Sequence, residues 1–155
     1  MNQEYVRKLF EYRDGKLFWK EPRENMRAWV ESGYLRPDGY RRVQIDGKKY
    51  FTHRLVFLYH HGHLPEFLDH IDGNPLNNRI ENLRPATITQ NQANRKAQKS
   101  ITGLKGVSPN HKRFKAQIKI SGKQMYLGTF DTPEEAHAAY LAAAKKIHGE
   151  FANGG

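Results

Sequence analysis

Asp69 and His70 stand together at the end of a short apolar stretch, and Asn91 follows in what reads as the first turn of a helix. These types suit metal-assisted hydrolysis. A neutral imidazole accepts a proton from water near pH 7. A carboxylate and an amide oxygen are hard donors, suited to Mg²⁺ or Mn²⁺ rather than to a soft metal. Two protein ligands leave coordination positions for substrate oxygens and water. A strand hairpin followed by a helix would bring the three side chains together. Between them, Asp72-Gly73-Asn74-Pro75 is a turn, and Asn77 and Asn78 read as turn-fixing residues. His53 is read as structural. His60-His61-Gly62-His63 resembles a metal tract, but adjacent histidines at a helix end rarely converge on one ion, and no acidic cluster accompanies them.

The elements that position these residues follow from periodicity and turn chemistry. The N-terminal half begins with a short helix over Gln3–Phe10, then a strand over Lys16–Lys20. Gly39–Ile45 and Lys49–Thr52 flank Asp46-Gly47, a strong hairpin signal. Thr52 is expected to cap a helix that runs through His60 and ends at Gly62, burying Leu55, Val56, Leu58 and Tyr59. Leu76, Ile80 and Leu83 anchor the segment after Asp72. Thr87 and Thr89 offer N-caps, with Gln90 and Gln92 three residues on.

The C-terminal half starts with a strand over Leu104–Val107. Arg113–Ile120 alternates: Phe114, Ala116, Ile118 and Ile120 point one way, Arg113, Lys115, Gln117 and Lys119 the other. After the turn Ser121-Gly122, a strand over Gln124–Thr129 turns Met125 and Leu127 inward, Gln124 and Tyr126 outward. Thr132, Pro133 and Glu135 form an N-terminal capping box. Ala136, Ala139, Tyr140, Ala143 and Ile147 line one helical face, and Gly149 ends the helix. The expectation is three antiparallel strands packed on one helix, with a basic open face.

Composition limits what such a chain can do. It has 155 residues and a net charge of +10. Half of that excess falls in residues 99–155 and half in residues 1–98. The obvious partner is a polyanion, most often nucleic acid. With no cysteine, disulfide scaffolds, Cys-based zinc sites and thiol catalysis are excluded. At 37% hydrophobic residues a small core is possible, and no apolar run approaches a membrane span. The N-terminus lacks the apolar stretch of a secretory signal.

Asp69-His70-Ile71-Asp72-Gly73, Asn77-Asn78-Arg79-Ile80-Glu81-Asn82-Leu83-Arg84 and Gln90-Asn91 occur in order, preceded by Gly39-Tyr40 and His53-Arg54-Leu55-Val56. Over roughly residues 10–95 the chain resembles the HNH nucleases, in the homing-endonuclease branch whose motif ends in Asn. The resemblance implies a ββα-metal (His-Me finger) domain that cuts DNA. It implies His70 as general base, Asp69 and Asn91 as ligands of a divalent metal (Mg²⁺ first, Mn²⁺ as the alternative), and Asn82 as the middle residue that holds the loop and orients His70. Arg84 and Arg95 are expected to contact DNA.

Lys105-Gly106-Val107, Phe114-Lys115-Ala116-Gln117-Ile118, Tyr126-Leu127-Gly128-Thr129-Phe130 and the capped alanine-rich helix resemble the APETALA2/ethylene-response-factor domain over about residues 103–153. That family lays its sheet in the DNA major groove. The resemblance implies a DNA-contacting face of Lys105, Arg113, Lys115, Gln117, Lys119, Lys123, Gln124 and Tyr126. Ser108, Gln124 and Tyr126 stand where the plant domains carry other residues, so the plant target is not carried over.

The expectation is therefore an α+β chain with a nuclease domain at residues 1–97, a linker at 98–103 and a DNA-binding domain at 104–155. It would be a monomeric phage homing endonuclease acting on double-stranded DNA in the cytoplasm of a bacterial host, with one metal site suited to nicking one strand. A non-catalytic DNA-binding regulator is the first rival, and it leaves Asp69, His70 and Asn91 unexplained. A broad-specificity HNH nuclease is the second.

Overall fold

Asn2 opens the first element: its side chain accepts the Tyr5 amide, and helix α1 (Gln3–Leu9) follows. The structure, a computed structural model, describes residues 1–23, 27–94, 101–120 and 122–154. Strands β1 (Phe10–Arg13) and β2 (Lys16–Trp19) form an antiparallel hairpin. β3 (Tyr34–Leu35), β4 (Arg41–Ile45) and β5 (Lys48–Phe51) form a second antiparallel sheet. Helix α2 (Thr52–His61) follows, then β6 (Phe67–His70), a 3-10 turn at Ile80–Asn82 and β7 (Leu83–Ala86), which pairs with β6. Helix α3 (Ile88–Asn94), strands β8 (Val107–Asn110), β9 (Arg113–Ile120) and β10 (Lys123–Phe130), and helix α4 (Pro133–His148) complete the order. The architecture is mixed α+β, with several small antiparallel sheets.

The chain divides into two compact units, Met1–Pro85 and Ala86–Gly155. In the first, Val6, Phe10, Leu17, Val43, Ile45, Leu55 and Val56 form a core exposed by no more than 1%. Asp46 and Gly47 both have positive φ, 48° and 75°, as a two-residue turn matched to strand twist requires. Gln3 Nε2 donates to the Tyr59 and His60 carbonyls, tying α1 to the end of α2, where Gly62 (φ 76°) terminates the helix. Two expectations are corrected here. Thr52 is the first residue of α2 rather than its cap; its hydroxyl is buried, and Phe51 at the cap position contributes no side-chain bond. Phe57 is buried beside Leu58, so the apolar face of α2 is wider than the expected set.

In the second unit β9 is the central strand, between β8 and β10. Ala116 and Ile118 of β9 face Ala136, Tyr140 and Ala144 of α4, where small residues allow close approach. The first strand begins at Val107 rather than Leu104, because Gly106 takes φ 76° and breaks the extended run. Met125 is 41% exposed on the edge strand β10, not inward, and Ile147 is exposed. A register shift between Tyr126 and Gly128 leaves Leu127 as a bulge that packs into the core. The expected capping box is present: Thr132 Oγ1 accepts the Glu135 amide, and Glu135 Oε2 accepts the Thr132 amide. Thr132→Ala removes one of these bonds and is expected to destabilise the second unit by about 1 kcal/mol, read from urea melts of wild type and variant.

The division between units falls upstream of the expected linker. Lys105 Nζ donates to the Ala93 carbonyl (2.6 Å) and Asn153 Nδ2 to the Asn94 carbonyl (2.9 Å), so α3 packs with the C-terminal elements. Residues 98–100 of that linker, the turn residue Ser121 and the expected DNA contact Arg95 lie outside the described residues.

Candidate active site

The loop from β6 to β7 is built around Asp72. Its Oδ1 accepts the Asn74 amide (2.8 Å) and Asn82 Nδ2 (3.0 Å), and its Oδ2 accepts Asn77 Nδ2 (2.8 Å). Asn82 returns the contact: its Oδ1 accepts the Asp72 amide (3.1 Å), and its Nδ2 also donates to the Asn77 carbonyl (2.8 Å). Burial opposes ionisation of Asp72, but the bonds from Asn77, Asn74 and Asn82 outweigh it and hold its carboxyl below the usual range. The loop closes on the strand ends, with the Ile71 amide on the Asn82 carbonyl and the Gly73 amide on the His70 carbonyl. Asn82 therefore holds the loop.

That loop delivers Asn78 to His70. Asn78 is 4% exposed, His70 is 6% exposed, and Asn78 Oδ1 lies 2.9 Å from His70 Nε2. An amide oxygen only accepts, so Nε2 carries the proton and the basic lone pair of the neutral ring is on Nδ1. The residue that orients His70 is thus Asn78, where the sequence suggests only a turn former. Nothing local in Asn77-Asn78 tells the two apart; the path of the loop does. Tyr40 and His53 wall the other side, with ring centroids 6.1 and 5.1 Å from His70.

His53 is 9% exposed. Burial, then the neighbouring His70 and Arg54, lower its pKa to about 3, so it stays a neutral wall. A depressed histidine pKa means that the unfolded chain binds the proton first. Stability is therefore complete above the unfolded value near 6.5 and declines as pH falls toward 3. Lowering pH from 7 to 5 should cost wild type about 2 kcal/mol more than His53→Phe, measured by urea melts. Equal losses in the two proteins would contradict a buried neutral His53.

Asp69, the neighbour of His70 in β6, is 5% exposed. Arg84 on β7 meets it: Nε and Nη2 lie 3.1 and 3.0 Å from Asp69 Oδ2, with side-chain exposures of 12% and 6%. The expected DNA contact Arg84 is therefore placed against the carboxylate, not on an open face. Asn91 lies in the first turn of α3, in the second unit; Thr87 Oγ1 accepts the Gln90 amide and Gln90 Oε1 accepts the Thr87 amide, a reciprocal cap. The Asp69 carboxylate is a hard oxygen donor of the kind that fits a divalent ion such as Mg²⁺. Among the described residues no three His, Cys, Asp or Glu side chains gather, so further oxygen donors would be amides, water or substrate. His61 and His63 engage each other and Phe57 at the end of α2.

In the second unit the outward residues align across strands: Lys115 with Ser108 and Thr129, Gln117 with Tyr126, and Lys119 with Gln124. Lys119, Lys123, Gln124 and Tyr126 are exposed, with Lys115 and Gln117 less so. Arg113 is half-exposed and paired with Asp131 at 2.7 Å. Lys105 differs from the rest. Its ammonium is half-buried between the Ala93 and Asn153 carbonyls, and burial lowers its pKa.

Comparison with known proteins agrees with the motif. Residues 50–93 match the family model for the HNH endonuclease. A protein described as an uncharacterized HNH endonuclease of Acanthamoeba polyphaga mimivirus is 35% identical over 122 residues, covering 77% of this chain and 64% of its own length. Protein 3.8 of Escherichia phage T7 is 31% identical over 140 residues, covering 88% of this chain and 93% of its own length. A putative HNH homing endonuclease of the Bacillus subtilis SPbeta prophage is 37% identical over 65 residues, 37% of this chain and 38% of that protein. The chain thus spans just under two thirds of the mimivirus protein and nearly all of the T7 protein. The matched segment holds Asp69, His70, Asn78 and Asn82, the residues whose geometry has just been described, and the chain belongs to the HNH endonuclease family.

Proposed function

We propose that the protein is a metal-dependent DNA endonuclease that hydrolyses phosphodiester bonds, with His70 as general base. The observation that carries this reading is the buried Asp69-His70 pair, with His70 Nε2 held by Asn78. His70 Nδ1 takes the proton from the attacking water. Asn78 fixes the tautomer and shares the positive charge that develops on the ring. Asn82 and Asp72 hold the loop that carries Asn78. Asp69 and the amide oxygen of Asn91 are the proposed ligands of the metal, Mg²⁺ or Mn²⁺. Bound there, a divalent ion supplies Lewis-acid polarisation of the phosphate and stabilises the leaving oxyanion.

The second unit is proposed as an APETALA2-like DNA-binding domain, reading double-stranded DNA through Lys115, Gln117, Lys119, Gln124 and Tyr126. Its support is the aligned outward row and a charge of 11 Lys+Arg against 4 Asp+Glu in residues 86–155, compared with 15 against 12 in residues 1–85. Lysines on phosphates position the duplex; glutamines and Tyr126 meet base edges. Arg113 and Lys123 flank the row. The proposed setting is a phage homing endonuclease, monomeric and nicking one strand, in the host cytoplasm; among the described residues no helix is long and apolar enough to cross a membrane.

Two measurements test this. Digestion of long genomic DNA with Mg²⁺ should give discrete products; a smear would favour a broad-specificity nuclease. Lys119→Gln should weaken duplex binding and flatten the slope of log affinity against log salt by about 1. An unchanged slope would remove Lys119 from the reading face.

A further inference from the structure

Asp69 is a buried carboxylate whose charge is met by a guanidinium. Arg84 lies on the paired strand β7, and its Nε and Nη2 both meet Asp69 Oδ2. With both side chains so little exposed, water screens the pair weakly. A buried carboxylate deprived of its counter-charge is strongly disfavoured, so Arg84 offsets the Asp69 charge and holds the side chain in place before any metal arrives. The same guanidinium works against a second cation. With Arg84 present, the Asp69–Arg84 pair is neutral, and a divalent ion approaching Asp69 meets a positive charge within a few ångströms.

We propose that Arg84 is the resident stand-in cation of Asp69, and that it couples metal loading to DNA binding. In the protein alone the guanidinium keeps metal affinity low. A DNA phosphate at the site brings the negative charge that lets both cations remain. Metal and DNA then bind with positive coupling, which by linkage is reciprocal. Arg84 is a positioning residue here, acting through Asp69. The inference rests on Asp69 being a metal ligand, and goes beyond it by making loading conditional on substrate.

Calorimetric titration of Mn²⁺ into the full chain tests this without relying on turnover. Arg84→Gln is expected to bind Mn²⁺ about tenfold or more tightly than wild type in the absence of DNA. Arg84→Lys, which keeps the charge, should stay close to wild type. In the non-cutting His70→Ala background, a duplex should tighten Mn²⁺ binding several-fold, and less so when Arg84→Gln is added. Unchanged or weaker binding by Arg84→Gln, or an Arg84→Lys protein that behaves like Arg84→Gln, would overturn the proposal. Should Arg84→Gln fail to fold, the duplex titration alone decides: absence of any tightening refutes the coupling. Asp69→Asn separates the two levels. Mn²⁺ binding as tight as wild type in that variant would refute the ligand assignment itself, and the proposal with it.

Discussion

His70→Ala is expected to slow DNA cleavage by about 10²–10⁴-fold while leaving duplex affinity within about twofold of wild type. The split follows from the placement of the ring. His70 is buried against Asn78, Tyr40 and His53 and is not among the residues proposed to hold the duplex. Removing it deletes the proposed base and none of the side chains proposed to contact the duplex. Asn78→Ala should fall in the same direction but less far, because the imidazole remains and loses only its fixed tautomer and orientation. Single-turnover cleavage and a filter-binding isotherm on the same duplex would measure both quantities. A His70→Ala protein that cuts at the wild-type rate would place the base elsewhere.

The largest effect on stability is expected at Gly106. Its φ of 76° is left-handed, and a Cβ built there would overlap the ring of Tyr140. Tyr140 is 5% exposed and packs with Ile118 and Ala144, so the ring has little room to retreat. Gly106→Ala combines the conformational penalty, about 1–2 kcal/mol, with overpacking of about 1–3 kcal/mol. A loss near 3 kcal/mol is a large part of the stability of a small unit. Gly103→Ala is the control: φ is 67° but nothing lies within 4 Å of the added Cβ, so only the first cost applies. Urea melts should rank the two variants in that order. Equal losses would mean that the Tyr140 ring yields freely. If the second unit reads DNA, Gly106→Ala should also weaken duplex binding.

Where a residue's neighbours in sequence decide its conformation, the expectations and the structure agree. Asp46-Gly47 makes its hairpin, Gly62 and Gly149 end their helices, and Thr132, Pro133 and Glu135 start theirs, because each device acts within a few residues. The alternation in Arg113–Ile120 likewise shows which side meets α4. The differences arise where distant contacts decide. Leu104–Val107 reads as a strand, but Tyr140 occupies the space over Gly106 and the backbone turns there. Lys105 looks like an exposed phosphate contact, yet its ammonium finds two carbonyls far along the chain, Ala93 and Asn153. The upstream end of the second unit, at Ala86, depends on these same long-range bonds.

The site divides in the same way. Residue types point to Asp69 and His70, and the resemblance implies Asn82 as the residue that holds the loop and orients His70; Asn82 makes the loop contacts, and Asn78 is the residue on His70. The hydrogen bond from His70 to Asn78 and the ion pair from Arg84 to Asp69 are invisible in sequence, because each depends on how the twelve-residue excursion over residues 71–82 folds back on the strand it left. His53 is similar. Its burial against His70 depends on how the start of α2 meets β6, although the two residues are far apart in the chain.

The most direct test of the central claim is the conversion of supercoiled plasmid by the wild-type protein, with Mg²⁺ and with chelator in parallel. Nicked circles are expected with the metal and intact supercoils with the chelator. Tight plasmid binding without any strand cut under Mg²⁺ or Mn²⁺, or cutting that the chelator leaves undiminished, would contradict it.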